Sequence, residues 1–204
     1  EYTTVITGTA TVKDADGNVV TDQFMVNSTD TGLLKIKPRP VTVKAASDEK
    51  EYDGSALTND GWTVAEATED SGLVGNDKIG SVQVTGSQLY PGSSANVAGN
   101  AVFETGKASN YEVKYVNGTL KVTNRSTKYV INAQAPDGEY LYDGTGKTAE
   151  GVTYDQLTFD GKTYTVEGLE SSLTKTDAGE YTTVITGTAT VKDADGNVVT
   201  DQFM

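Results

Sequence analysis

The residues best suited to chemistry are oxygen-bearing side chains, and each group has a competing structural use. Asp193, Asp195 and Asn197 fall within the five residues Asp-Ala-Asp-Gly-Asn, repeated identically at 14–18, a run that could wrap a calcium ion. An EF-hand loop would need further oxygen ligands and a Glu at its twelfth place, where Met204 stands, so a β-turn is the favoured reading. The acid pairs Asp48-Glu49 and Glu69-Asp70 could serve a glycosidase, which sets two carboxyls across a cleft. Both pairs lie in polar stretches, where acids simply solvate the chain. Tyr52 and Tyr142 each precede Asp-Gly and could stack on a sugar ring. The recurrence is better explained by the fold: Asp53-Gly54 and Asp143-Gly144 set turns, while the tyrosine buries its ring and keeps its hydroxyl wet. Lys35, Lys37 or Lys121, near Asn27 or Asn124, could be imagined in a Lys–Asn cross-link, but these lysines alternate with apolar residues and should face water.

Composition removes most other chemistry. The 204 residues contain no histidine and no cysteine, so thiol nucleophiles, disulfides, serine–histidine triads and the usual zinc ligands are unavailable. With 16 basic against 29 acidic residues the net charge is −13, which opposes binding to nucleic acid and to anionic membrane surfaces. No apolar run reaches the roughly 18 residues of a membrane-spanning helix. We therefore expect no catalysis, no cofactor and no metal, and any export signal or anchor should lie outside this stretch.

The elements that position these residues are organised by repetition. Residues 1–25 recur without a difference as 180–204, a period of 179. Within the period, Tyr52-Asp53-Gly54 matches Tyr142-Asp143-Gly144. Phe24-x-Val26 followed by Gly32-Leu33-Leu34-Lys35-Ile36 matches Tyr111-x-Val113 followed by Gly118-Thr119-Leu120-Lys121-Val122. Each period then holds two related modules of roughly 90 residues, an ordinary size for a small β domain. Residues 1–37 read as the closing part of a module A, 39–124 as a complete module B, and 127–204 as a module A without its closing strand.

Strand signals run throughout. Tyr181, Thr183, Ile185, Gly187, Ala189 and Val191 alternate with hydroxylated residues, and Asp193–Asn197 should turn that strand into a long hairpin. Asn117-Gly118, between alternating Tyr111–Tyr115 and Leu120–Val122, predicts a second hairpin. Opening strands are expected at Val41, Val43 and Ala45 and at Tyr129, Ile131 and Ala133, Trp62 should be core, and no helix is expected. Asp177-Ala178-Gly179-Glu180-Tyr181 has the D-x-G-x-Y form of a tyrosine corner. The expected fold is therefore all-β, as tandem immunoglobulin-like sandwiches, with β-grasp-like single sheets as the alternative. Lys37-Pro38-Arg39-Pro40 and Asn124-Arg125-Ser126-Thr127 are short joins that should restrict bending.

These residues resemble a known family. The two Tyr-Asp-Gly triplets, Thr-Asp-Ala-Gly-Glu-Tyr at 176–181, and the closing Gly-x-Leu-Lys-Val/Ile strands look like the YDG-type and "mostly β, glycine-rich" surface repeats. The resemblance implies large secreted or wall-attached proteins, mainly of Gram-positive bacteria, and hence an extracellular, adhesin-like stalk whose partners are neighbouring repeats. Two alternatives stand beside it. The modules could bind a host glycan or protein, or copies could associate through an edge that residues 26–37 of another chain would fill.

Overall fold

The computed structural model describes residues 2–27 and 31–204; Glu1 of the repeat and residues 28–30 of the 26–37 segment lie outside the described residues. The chain is nearly all β, arranged in several small sheets, and three short 3-10 turns are the only helical elements among the described residues. Strand pairing stays local to three stretches. In the first, β1 (Tyr2–Thr4) pairs antiparallel with β2 (Gly32–Leu34), Tyr2 opposite Leu34 and Thr4 opposite Gly32.

The second stretch holds β3 (Arg39–Ala45), β4 (Asp48–Glu51), β5 (Trp62–Val64), β6 (Lys78–Thr85), β7 (Gly92–Thr105), β8 (Tyr111–Val116) and β9 (Gly118–Thr123). Its first and last segments run parallel, Arg39 opposite Tyr111 and Asp48 opposite Leu120. Both pairs are offset by the same 72 residues (39 to 111, 48 to 120), so the ladder keeps its register across the bend at Ala46-Ser47. β5 flanks β3, while β7 flanks β9 and carries β6. Val41, Val43 and Ala45 alternate inward on β3, and Leu120 and Val122 on β9, as the period of two requires. Trp62 is half-buried beside Ala45.

The expected hairpin at Asn117-Gly118 does not form. β8 and β9 are successive halves of one extended path, both paired to the opening strands. Gly118 is demanded by close approach rather than by a turn, since a Cβ there would meet the Ala46 carbonyl oxygen at 2.0 Å. The Asn-Gly preference for positive φ is a local bias, and a parallel partner along both halves of the path overrides it. The buried Asn96 amide braces the same bend, donating to the Ala46 and Asn59 carbonyls at 2.9 and 2.7 Å.

The third stretch contains β10 (Ala133–Gln134), β11 (Lys147–Glu150), β12 (Thr153–Tyr154), β13 (Thr158–Phe159), β14 (Lys162–Thr163), β15 (Thr165–Glu170), β16 (Ser172–Lys175) and β17 (Thr186–Lys192). Tyr129 bridges Phe203 in parallel, and the two exchange further backbone bonds through Gln202 and Met204. The long hairpin expected around 193–197 is short: the return reaches one bridge, Lys192 to Val198, before a 3-10 turn at Thr200–Gln202. β17 instead takes β15 as its partner. The turn itself is well formed, with Gly196 at φ +84° and the Gly196 amide donating to the Asp193 carbonyl at 3.0 Å.

The exposed surface is 14122 Å² for a 21.5 kDa chain. A compact monomer of that mass would expose about 9,200 Å², and the excess goes with a first stretch that leaves most of its apolar side chains uncovered.

Candidate functional site at the joint between modules

The four-residue join 124–127 brings a set of aromatic residues from both sides into one apolar cluster. Tyr52, Leu57, Leu120 and Val122 come from the second stretch; Tyr129, Phe159, Tyr164, Val191, Val199 and Phe203 come from the third. The rings touch edge and face, with Tyr129 and Phe159 centroids 4.7 Å apart and Tyr164 and Phe203 4.9 Å apart. Such pairs contribute about 0.5–1.5 kcal/mol each beyond the area they bury. Burial here is shared between the second and third stretches, so neither side can swing away without exposing rings to water.

Arg125, inside the join, caps the cluster. Its Nη1 donates to the Tyr52 carbonyl at 3.1 Å and to the Tyr129 hydroxyl at 2.9 Å, and its guanidinium carbon lies 3.8 Å from the Tyr129 ring centroid. Its Nε donates to the Thr127 carbonyl, which fixes the side chain to its own backbone. Asp160 completes this corner, accepting from the Tyr129 hydroxyl and lying 3.9 Å from the guanidinium. Gln202 then closes the backbone of the join, accepting from the Arg125 amide at 2.9 Å and donating to the Asn124 side chain at 2.7 Å.

A second polar corner is built on Tyr90, which stacks on Tyr52 with centroids 6.4 Å apart. Its hydroxyl donates to Asp193 at 2.6 Å and accepts from the Asn197 amide at 2.5 Å. The Asp-Ala-Asp-Gly-Asn turn thus serves as a latch. Asp193 accepts the Asp195 and Asn197 backbone amides and still has an oxygen left for Tyr90. The Asp193 carboxylate, followed by burial, pushes the Tyr90 phenol up to about 12. Burial, followed by Asp160, does the same for Tyr129, also to about 12. Burial raises Tyr52 further still.

The two Tyr-Asp-Gly motifs have the same local geometry and opposite surroundings. Asp53 accepts the Ser55 amide and hydroxyl and the Lys50 ammonium; Asp143 accepts the Thr145 amide and hydroxyl and the Lys147 ammonium. Burial works against the Asp53 carboxylate, but Lys50 and Ser55 outweigh it and hold its pKa at about 2. Gly54 and Gly144 have φ of +74° and +75°. Tyr52, however, is 1% exposed beneath the following module, hydroxyl included, whereas Tyr142 is 67% exposed. Gly54 also touches that module, since a Cβ there would meet the Tyr164 hydroxyl at 2.9 Å, while the space around Gly144 is open.

At the D-x-G-x-Y run, the Tyr181 hydroxyl donates to the Asp177 carbonyl at 3.1 Å, and the ring lies over Gly179. The acids considered for catalysis do not converge: Asp48 accepts from Glu49 and Asn59, Glu49 pairs with Lys121, and Glu69 and Asp70 are exposed on a loop. Among the described residues no three His, Cys, Asp or Glu side chains gather around a common point. Lys121 is committed to Glu49, and Asn124 to Gln202. The contacts of Arg125 with Tyr52 and Gln202 and of Tyr90 with Asp193 carry no linear signature, because they join residues 73, 77 and 103 apart in sequence. The chain matches no family model, no curated protein and no solved structure.

Proposed function

We propose that this chain is a structural spacer: a stretch of tandem modules that extends an extracellular, surface-attached protein and carries load or reach rather than chemistry. The carrying observation is the joint, where one apolar cluster and two hydrogen-bonded corners span a four-residue connection. A flexible linker would leave each module to bury its own core. A net charge of −13 keeps neighbouring rods soluble and apart. The resemblance to YDG-type repeats supports the placement on a bacterial surface.

For the module fold, the parallel pairing of opening with closing strands, β3 with β8 and β4 with β9, supports the β-grasp-like alternative over an immunoglobulin-like sandwich. The 3.1 Å tyrosine-corner contact is the observation in favour of the sandwich. Small-angle scattering on chains of one, two and three periods tests the spacer reading. The maximum dimension should rise by a constant increment per period, and a glycan array probed with one period should stay blank. Specific binding by a single period, or dimensions growing as a flexible chain does, would defeat it.

A further inference from the structure

Beside the exposed Tyr142 runs an open groove of roughly 500 Å³, walled by residues 138–142 on one side and 176–181 on the other. We propose that this groove is a strand acceptor, and that its occupant is the segment 26–37 of a second copy of this chain.

The second stretch of the molecule shows what such a groove holds. There the slot between β4 and β7 is filled by β9, parallel to β4 (Asp48 opposite Leu120, Lys50 opposite Val122) and antiparallel to β7 (Ser94 opposite Leu120, Asn96 opposite Gly118). The Tyr-Asp-Gly triplets at 52 and 142 place residues 138–141 where β4 (Asp48–Glu51) lies. The opposite wall is identified independently. Residues 181–183 are Tyr-Thr-Thr, the same three residues as β1, and β1 pairs with β2 in the register that β7 uses with β9: Tyr2 opposite Leu34 and Thr4 opposite Gly32. The acceptor wall therefore already has a bound example of its strand, in the first stretch of the same chain.

The donor has the right side chains. Leu34 and Ile36 stand where Leu120 and Val122 stand on β9, and the latter pair are fully buried whereas Leu34 and Ile36 lie exposed. The unfilled groove correspondingly leaves Tyr140, Leu141 and Tyr181 uncovered. Docked in this register, Leu34 lies between Gly138 and Tyr181, and Ile36 between Tyr140 and Gly179. Charge agrees as well. Lys121 of β9 pairs with Glu49 at 3.0 Å, and the same register sets Lys35 against Glu139, with Glu180 across from it. In docking, the donor exchanges its own Tyr2–Thr4 for the identical residues of the acceptor. Strand addition of this kind draws affinity from main-chain bonds and specificity from alternate side chains.

A labelled peptide of residues 26–37, titrated into the 204-residue chain and followed by anisotropy, tests the proposal. Saturable one-to-one binding is expected, with amide-exchange protection appearing at 138–142 and 179–183. Leu34→Asp with Ile36→Asp in the peptide removes the burial of two apolar side chains and should weaken binding more than about a hundredfold. Because these changes sit in the peptide, the acceptor's folding is untouched. Lys35→Glu should weaken binding by about two- to fivefold, the scale of an exposed ion pair, and Glu139→Lys in the chain should recover part of it. In sedimentation, the chain alone should form concentration-dependent oligomers that excess peptide disperses. No saturable binding, equal binding of the doubly substituted peptide, or protection away from both walls would overturn the proposal. None of these readings depends on whether the array is a spacer.

Discussion

Gly54 and Gly144 give a controlled comparison of what one residue does at the joint. Their φ angles differ by a single degree, so Gly→Ala imposes the same backbone strain at both, on the order of 1–2 kcal/mol. Only at Gly54 does the new methyl also meet a neighbour, the Tyr164 hydroxyl. Gly54→Ala should therefore lower the midpoint of chemical unfolding more than Gly144→Ala; equal shifts would mean that the contact between modules carries no energy. Arg125 is a second case. Its guanidinium reaches a carbonyl, a hydroxyl and a ring face together, which a lysine ammonium on a flexible stem cannot reproduce. Arg125→Lys should cost about 1.5–3 kcal/mol, the worth of a charged hydrogen bond, measured by denaturant unfolding of the wild-type and substituted chains. The Tyr-Asp-Gly turns were legible in the sequence because Asp, Gly and the following hydroxyl act over three consecutive residues. The covering of Tyr52 was not, because Tyr90 and Tyr164 are distant in the chain.

At the scale of elements, the duplicated 25 residues show one sequence in two settings. Both copies close the same turn: Asp14 accepts the Asp16 and Asn18 amides as Asp193 accepts those of Asp195 and Asn197, and a 3-10 turn follows in each. The strands differ. Residues 186–192 form β17 against β15, whereas the identical residues 7–13, with no such partner, form no strand beyond a single bridge at Lys13. Phe24 is 58% exposed and its copy Phe203 only 6%. This contrast yields a prediction with an internal control. Asp14→Ala removes the turn's acceptor alone, while Asp193→Ala also removes the acceptor of the Tyr90 hydroxyl. Thermal unfolding should register Asp193→Ala clearly and Asp14→Ala within about 0.5 kcal/mol of wild type, as for exposed surface positions.

For the whole molecule, the joint has a defined response to pH. Tyr90 and Tyr129 are raised in the folded chain from the ordinary 10 to about 12, so folding favours their neutral form. That contribution is fully present below pH 10 and is lost as pH rises from 10 through 12. Asp53 behaves in the opposite sense: held at about 2, its contribution is present above the ordinary carboxylate value and is lost as pH falls from about 4 toward 2. The joint should contribute to the alkaline limb, beside Tyr111, whose phenol is raised by its hydrogen bond to Asp77. Tyrosinate absorbance and scattering dimensions should change together between pH 10 and 12, and a chain that stays equally stiff while its phenols ionise would show that the corners do not hold the modules.

By itself the sequence determined the β class, the period of 179 and the local turns, since each rests on spacing within a few residues or on direct repetition. Tertiary structure decided which strands exist and what they bury. Asn117-Gly118, a hairpin by local preference, became part of an extended path because β3 and β4 pair the residues on either side of it and β7 pairs Gly118 itself. The two copies of the 25-residue segment make the same point without any change of sequence. Their turns agree because a turn satisfies its own hydrogen bonds; their strands disagree because a strand's donors and acceptors point sideways, and only another part of the chain can meet them.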